Sequence, residues 1–276
     1  MEVSYSRPDW NEVAKSVEHI TDPVQLDQFW TEQCNGWLLD LKEQLGFGYQ
    51  IIKSDNFQVV TSQSDRYNTL LINSLERTLK RILQALPGIA SDQGFGSHVA
   101  LVIENQEKYY DYIAAYHPDE GEFGLSSGIF IDEGYGHFVF PVQEITYAEP
   151  IAVHELTHAL LAHLPIPLWL NEGLAVSMEE FLADQIPPML DHKQMALHAS
   201  YWNEDRIAAF WKGDSFSYSD EGQDLSYELA YILVKKLTGN MKQFAEFVNI
   251  ANGEDGGFAA ANKVWGISLN SLLFSS

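Results

Sequence analysis

Hydrophobic residues near the N-terminus recur with the period of an amphipathic helix. Asp22-Pro23 is typical of a helix start, because aspartate caps the first turn and proline fits the first helical position. Apolar residues at helical spacing then continue until Gly46: Phe29, Trp30, Trp37, Leu38, Leu41 and Leu45. A shorter amphipathic segment, from Trp10 to Val17, precedes them. We therefore predict a helical N-terminal segment over residues 1–46.

From residue 47 the pattern changes to short β-branched and aromatic runs separated by Gly, Asp and Glu, which are typical of strands. The predicted strands are Tyr49–Lys53, Phe57–Thr61, His98–Ile103, Ser127–Ile131 and His137–Pro141. Tyr67–Leu86 predicts a long helix closed by Pro87-Gly88, and the pattern after Tyr147 is almost entirely helical. The prediction is an α+β fold, with a small mixed sheet in the first half and helices in the second. Residues 47–276 form one domain in this interpretation.

Composition and charge narrow the class of protein. The chain has 276 residues, of which 46% are hydrophobic, and this is enough to bury a core. Its formal net charge of -23 would repel nucleic-acid phosphates and anionic lipids, so we expect neither nucleic acid nor membrane as a partner. The N-terminus lacks a basic region followed by an apolar run, which predicts a cytoplasmic protein. The single cysteine, Cys34, is expected to be a small buried hydrophobe.

One predicted helix carries residues suited to metal binding. His154 and His158 are four residues apart, so on a helix they are turned about 40° from each other and separated by roughly 6 Å along the axis. Both imidazoles can therefore reach one zinc ion, Zn2+, while Glu155 is placed beside a metal-bound water as a general base. The flanking residues are apolar on almost every side, which predicts a buried helix. The alternative is a chance occurrence of the string among nine histidines.

A third protein ligand has to come from another part of the chain. His163 lies about 140° round the helix from His158 and is expected to be structural or solvated. Glu172 is the better candidate, because it follows the break at Pro165 and Pro167 and lies off the apolar stripe of the next predicted helix. An ordinary solvated glutamate is the alternative for Glu172.

These motifs together resemble a known family. The string His154-Glu-Leu-Thr-His158, followed by Trp169-Leu-Asn-Glu172-Gly-Leu-Ala175, resembles the gluzincin metallopeptidases, which include thermolysin-like and M1 aminopeptidase-like catalytic domains. The likeness is greatest to their small bacterial peptidase-MA-like relatives, because only 13 residues separate His158 from Glu172, fewer than in the M1 enzymes. The resemblance implies a zincin-like fold whose sheet packs on the His-Glu-x-x-His helix. It also implies zinc bound by His154, His158 and Glu172, with Glu155 as general base.

A second match to the same family occurs further along the chain. Ser226-Tyr227-Glu228-Leu-Ala-Tyr231 is similar to a helix start in M1 enzymes, where the tyrosine hydroxyl stabilises the oxyanion. The resemblance implies that role for Tyr227, and an amphipathic packing tyrosine is the alternative. Ser226 is predicted to cap this helix, with Glu228 in its first turn. Tyr231 is expected to lie in the core.

Three functions fit these residues. The one we favour is a zinc-dependent peptidase that hydrolyses peptide bonds in a peptide or protein substrate, using a metal-activated water and Glu155 as base. The alternative is a catalytically inactive zincin-like module that binds peptide or a protein partner. A metal-free helical scaffold is disfavoured, since it leaves two histidines unexplained inside an apolar helix. Either Ser127–Ile131 or His137–Pro141 could be the edge strand that pairs with an extended peptide, and no oligomeric state is indicated.

Overall fold

The computed structural model describes residues 5, 7–92, 94–116, 126–183 and 192–273. Within these ranges the protein has eleven α-helices, three short 3-10 helices and five strands, which confirms the α+β class and the mostly helical second half. The strands are β1 (Gln50–Lys53), β2 (Phe57–Thr61), β3 (His98–Ile103), β4 (Ile129–Ile131) and β5 (His137–Pro141). The helices are α1 (Trp10–Val17), α2 (Pro23–Leu45), α3 (Asp65–Ala85), α4 (Gln106–Ala114), α5 (Ile145–Leu161), α6 (Leu168–Ala183), α7 (His192–Tyr201), α8 (Glu204–Lys212), α9 (Gly222–Leu237), α10 (Met241–Ile250) and α11 (Phe258–Trp265). Over the described residues, none of these helices combines the length and apolar character needed to cross a membrane.

The chain divides into two compact units. Of the described residues, the first contains those within 1–80, 92–116 and 126–159, and therefore holds the entire described sheet. The second contains those within 81–91 and 160–273, and its described secondary structure is helical. The helices predicted for residues 1–46 thus belong to the same unit as the sheet.

The sheet of the first unit is mixed, as predicted, with the strand order β1-β2-β3-β5-β4. Strands β2, β3 and β5 run parallel to one another, and β1 and β4 pair antiparallel at the two edges. The three parallel strands are buried almost throughout, as expected from sequences rich in β-branched and aromatic residues, and their predicted bounds are confirmed. The polar Gln58 and Thr61 of β2 are buried with them. Of the two candidate edge strands, the one over His137–Pro141 is internal, and β4 lies at the edge.

Helices α1 and α2 contribute to the core that covers one face of this sheet. Trp10 and Trp37 meet edge to face with ring centroids 5.6 Å apart, and Trp10 lies equally close to Tyr135. The same core contains the fully buried Leu38 and sheet residues whose side chains share that face: Val60, Val99, Leu101, Ile103 and Val139. The N-terminal helices therefore complete the hydrophobic core of the first unit.

Helix α3 is connected to both the sheet and α5 through carboxylates. Glu76 accepts hydrogen bonds from the backbone N–H of Asn56 (2.9 Å) and from its side-chain amide (2.7 Å), immediately before β2. The hydroxyl of Ser74 donates to Glu149 on α5 at 2.7 Å. The bond between Ser74 and Glu149 thus links α3 to the first half of α5, the helix that carries His154 and His158.

Candidate metal centre

Helix α5 directs its two histidines to one side. The ring centroids of His154 and His158 are 4.6 Å apart, and the ring planes meet at 79°. His158 is buried and His154 is half-buried. A separation of one helical turn places the imidazoles side by side, so the predicted helical arrangement is confirmed. His163 follows the end of α5 and is exposed, as expected for a solvated residue.

Glu155 lies next to these histidines and against the start of the edge strand. Its side chain is only 5% exposed. A Cβ atom added to Gly128 would lie 3.2 Å from Oε1 of Glu155 and 2.5 Å from Cγ2 of Ile151. The backbone before β4 can therefore approach α5 this closely only because residue 128 has no side chain. The sequence interpretation did not identify Gly128, since nothing local distinguishes it from other strand-end glycines.

Helix α4 holds the segment that contains Gly128. The hydroxyl of Ser126 donates its one proton to the Gly128 carbonyl. The Tyr109 hydroxyl, 3.0 Å from Ser126 Oγ, must therefore be the donor in that pair. The Ser126 backbone N–H donates to the Tyr110 hydroxyl (3.3 Å), and the Gln106 amide donates to the Ser126 carbonyl (3.3 Å). Burial raises the pKa of Tyr109, and the nearby charge of Glu155 raises it further. The position of Gly128 against Glu155 is thus set by α4, which the sequence pattern did not predict.

Glu172 lies on α6 at the point where this helix touches α9. A Cβ atom added to the next residue, Gly173, would lie 2.6 Å from the Ala230 carbonyl oxygen and 2.7 Å from a methyl group of Val234. The two helices therefore meet backbone to backbone at Gly173. Tyr227 precedes Ala230 by three residues, so Glu172 and Tyr227 both lie within one helical turn of this crossing.

Tyr227 is half-buried near the start of α9, and the ring of Phe216 meets it edge to face with centroids 5.3 Å apart. The predicted cap of this helix is wrong: α9 begins at Gly222, and Ser226 lies inside it, donating to the Gly222 carbonyl at 2.6 Å. The N-cap position is Glu221, whose side chain makes no capping bond; Asp220, just before it, accepts from the Gly222 N–H (2.8 Å), and the helix starts one turn earlier than predicted. Tyr231 is buried, as expected for a core residue, and its hydroxyl donates to Glu180 at 2.9 Å.

His154, His158 and Glu172 can each offer one ligand atom, and these atoms all lie within 4.8 Å of one another. Two imidazole nitrogens and one carboxylate oxygen form a donor set that suits zinc. The chemistry of these residues fits the predicted ion, and the zinc site stays a prediction.

No family model and no curated protein sequence matches this chain. A function therefore has to be inferred from the chemistry of the residues on and near α5, β4, α6 and α9.

Proposed function

We propose that the protein is a zinc-dependent peptidase of the gluzincin type, with a zincin-like catalytic fold. The observation that carries the proposal is the arrangement on α5: two imidazoles with centroids 4.6 Å apart stand beside a glutamate that is 5% exposed. The histidines supply ligand atoms, and the carboxylate of Glu155 is a separate group next to them. A metal-assisted hydrolase needs this division between ligands and base.

His154, His158 and Glu172 are the residues that would hold the ion. When bound, zinc supplies Lewis acidity that polarises a carbonyl group and lowers the pKa of water. Alanine in place of either histidine should abolish stoichiometric zinc in the purified protein, as measured by elemental analysis. The exposed His163 offers the matched control, because His163→Ala should retain the metal. Full zinc occupancy in both ligand variants would contradict the assignment.

Glu155 performs the proton transfers in this proposal. Its carboxylate accepts a proton from the attacking water while the water oxygen forms a bond to the carbonyl carbon. The same carboxylate then delivers the proton to the amine nitrogen as the C–N bond breaks. The hydroxyl of Tyr227 donates a hydrogen bond to the carbonyl oxygen, where negative charge develops. The environment of Glu155 supports its role, because Gly128 has no side chain and lets the backbone before β4 pack close to the carboxylate.

The substrate in this proposal is an extended peptide that pairs with β4. Strand β4 has β5 as its single neighbour in the described sheet, and Gly128 immediately before it touches Glu155. A peptide added to this edge would receive hydrogen bonds from main-chain groups, which do not depend on its sequence. Selectivity would then come from the side-chain environment on either side of the cleaved bond.

Glu155→Gln tests catalysis separately from binding. Glutamine keeps nearly the same shape but cannot accept the proton, so peptide hydrolysis should fall by about 10²–10⁴-fold while zinc remains bound. Glu144→Gln, at an exposed glutamate just before α5, is the control and should behave as wild type. Zinc content and cleavage of a broad peptide library are measured with and without a chelator.

Two results would contradict the proposal. Equal rates for zinc-loaded wild type and Glu155→Gln would show that this carboxylate is not the base. Zinc-loaded wild type that cleaves no peptide in the library would make the non-catalytic, peptide-binding module the better interpretation.

A further inference from the structure

A chain of hydrogen-bonded side chains joins α7 to α9 in the second unit. The indole N–H of Trp202 donates to Nδ1 of His198 at 3.0 Å. An indole nitrogen can only donate, so Nδ1 must be the accepting nitrogen and the proton of the neutral imidazole lies on Nε2. The Nε2–H group in turn donates to Oε2 of Glu228 at 2.8 Å. Trp202 thereby selects the tautomer of His198 that can bind Glu228.

Gln194 adds a second donor to the same carboxylate oxygen. Its side-chain amide donates to Oε2 of Glu228 at 2.6 Å. Gln194 and His198 are four residues apart on α7 and therefore point to the same side. The side chains of His198 and Glu228 are 13% and 17% exposed, so little water competes for these bonds. Charge-assisted hydrogen bonds in such surroundings hold a carboxylate firmly.

Glu228 directly follows Tyr227 on α9, so the bonds that hold the Glu228 side chain also restrain the backbone from which Tyr227 projects. Ser226 directly precedes Tyr227 in the sequence, and its hydroxyl oxygen lies 2.7 Å from that of Ser215. The ring of Phe216 rests edge to face on the ring of Tyr227. The residues before and after Tyr227 in the sequence are thus both hydrogen-bonded to other elements, and α7 supplies the bonds to Glu228.

We propose that Trp202, His198 and Glu228 are positioning residues for Tyr227. The inference rests on the proposed function, in which the Tyr227 hydroxyl donates to the developing oxyanion. The three side chains transfer no proton to the substrate. They hold the first turns of α9 so that the Tyr227 hydroxyl keeps one direction before the substrate binds, which is the condition for an effective oxyanion donor.

The first test is spectroscopic and uses the full chain with ¹⁵N-labelled histidine and ¹³C-labelled tyrosine rings. His198 should show the tautomer protonated at Nε2. Trp202→Phe removes the indole donor while retaining an aromatic ring, so His198 should become a mixture of tautomers and the Tyr227 ring signals should shift. Tyr227→Phe assigns those signals. Trp265→Phe is the matched control, because Trp265 is also half-buried in the second unit and should leave both readouts unchanged.

A His198 protonated at Nδ1 in wild type would overturn the proposal, as would Tyr227 signals that are unchanged in folded Trp202→Phe. Glu228→Gln keeps the size of the side chain and provides a second folded variant, in which the Tyr227 signals should also shift. Native folding of each variant is checked by thermal denaturation.

The second test is kinetic and separates positioning from general stability. Trp202→Phe should lower kcat for peptide cleavage by about tenfold with little change in KM. In a Tyr227→Phe background the same substitution should cause no further loss. An equal loss of kcat in both backgrounds would overturn the proposal. If wild type cleaves no peptide, the proposed function fails, and the spectroscopic test still decides whether α7 sets the orientation of Tyr227.

Discussion

Replacing Gly128 with alanine tests whether the edge strand is packed against the general base. The new Cβ atom would lie 2.5 Å from Cγ2 of Ile151, whereas ordinary van der Waals contact begins near 3.4 Å. Cγ2 is bonded directly to Cβ of a β-branched residue, so it cannot move away without a change of χ1 or a shift of α5. A displacement of about 1 Å is therefore required somewhere between the backbone before β4 and α5. Overpacking of this kind typically costs about 1–3 kcal/mol.

Urea denaturation and peptide hydrolysis measure the two consequences for Gly128→Ala. The free energy of unfolding should fall by about 1–3 kcal/mol. The hydrolysis rate should fall by about 10–10²-fold, because a shift of about 1 Å misplaces Glu155 or the bound peptide. Zinc content should not change, since the three atoms nearest to the new Cβ belong to Ile151 and Glu155 and not to a predicted ligand. Gly36→Ala is the control: Gly36 lies inside α2, a Cβ atom added there would meet nothing within 4 Å, and alanine should stabilise the protein by about 0.5–1 kcal/mol.

A second variant shows where the strain arises. Ile151→Ala removes the methyl group that the new Cβ would meet, so Gly128→Ala should cost less stability in that background than in wild type. If Gly128→Ala unfolds at the same urea concentration as wild type and cleaves peptide at the same rate, the packing of Gly128 against α5 is refuted. Equal stability losses in both backgrounds would exclude Ile151 as the cause.

Four further predictions concern single residues. Tyr227→Phe should lower kcat by roughly 10²–10³-fold without loss of zinc, and an unchanged kcat would exclude it as the oxyanion donor. Leu38→Ala should cost about 2–5 kcal/mol in urea denaturation because Leu38 is fully buried; a loss below about 1 kcal/mol would argue against α2 as part of the core. Burial lowers the pKa of His137 to about 4, so the imidazole takes up a proton in the unfolded chain at a higher pH than in the folded protein. The free energy of unfolding should therefore fall by up to about 3 kcal/mol as the pH is lowered from 6.5 toward 4. His137→Phe should lack that part of the decline. Burial raises the pKa of the Cys34 thiol to about 11, so iodoacetamide should label it only in the unfolded protein, and rapid labelling of native protein would contradict this.

Local spacing was sufficient to predict the strands and the ligand-bearing helix. Strands β2, β3 and β5 are buried along nearly their whole length, and their β-branched and aromatic residues were enough to predict their bounds, although β2 also contains Gln58 and Thr61. The proximity of His154 and His158 also follows from one helical turn, which needs no distant partner. Helix α4 was not predicted, although its sequence carries the signal of a helix. Asn105 caps it, and its buried Tyr109, Tyr112 and Ile113 recur at helical spacing.

Only the tertiary structure decided which strand lies at the edge of the sheet and what touches Glu155. The residues over His137–Pro141 are apolar enough for an internal strand, but their sequence does not say which strands lie beside them. Pairing across the sheet makes β3 and β4 the two neighbours. The contact of Gly128 with Glu155 joins residues 27 positions apart, and the bond between His198 and Glu228 joins residues 30 positions apart. Hydrophobic periodicity reports which side of an element is buried, but it carries no information about the partner that buries it. Cross-strand pairing and helix crossings supply that information, and they exist only once the chain has folded.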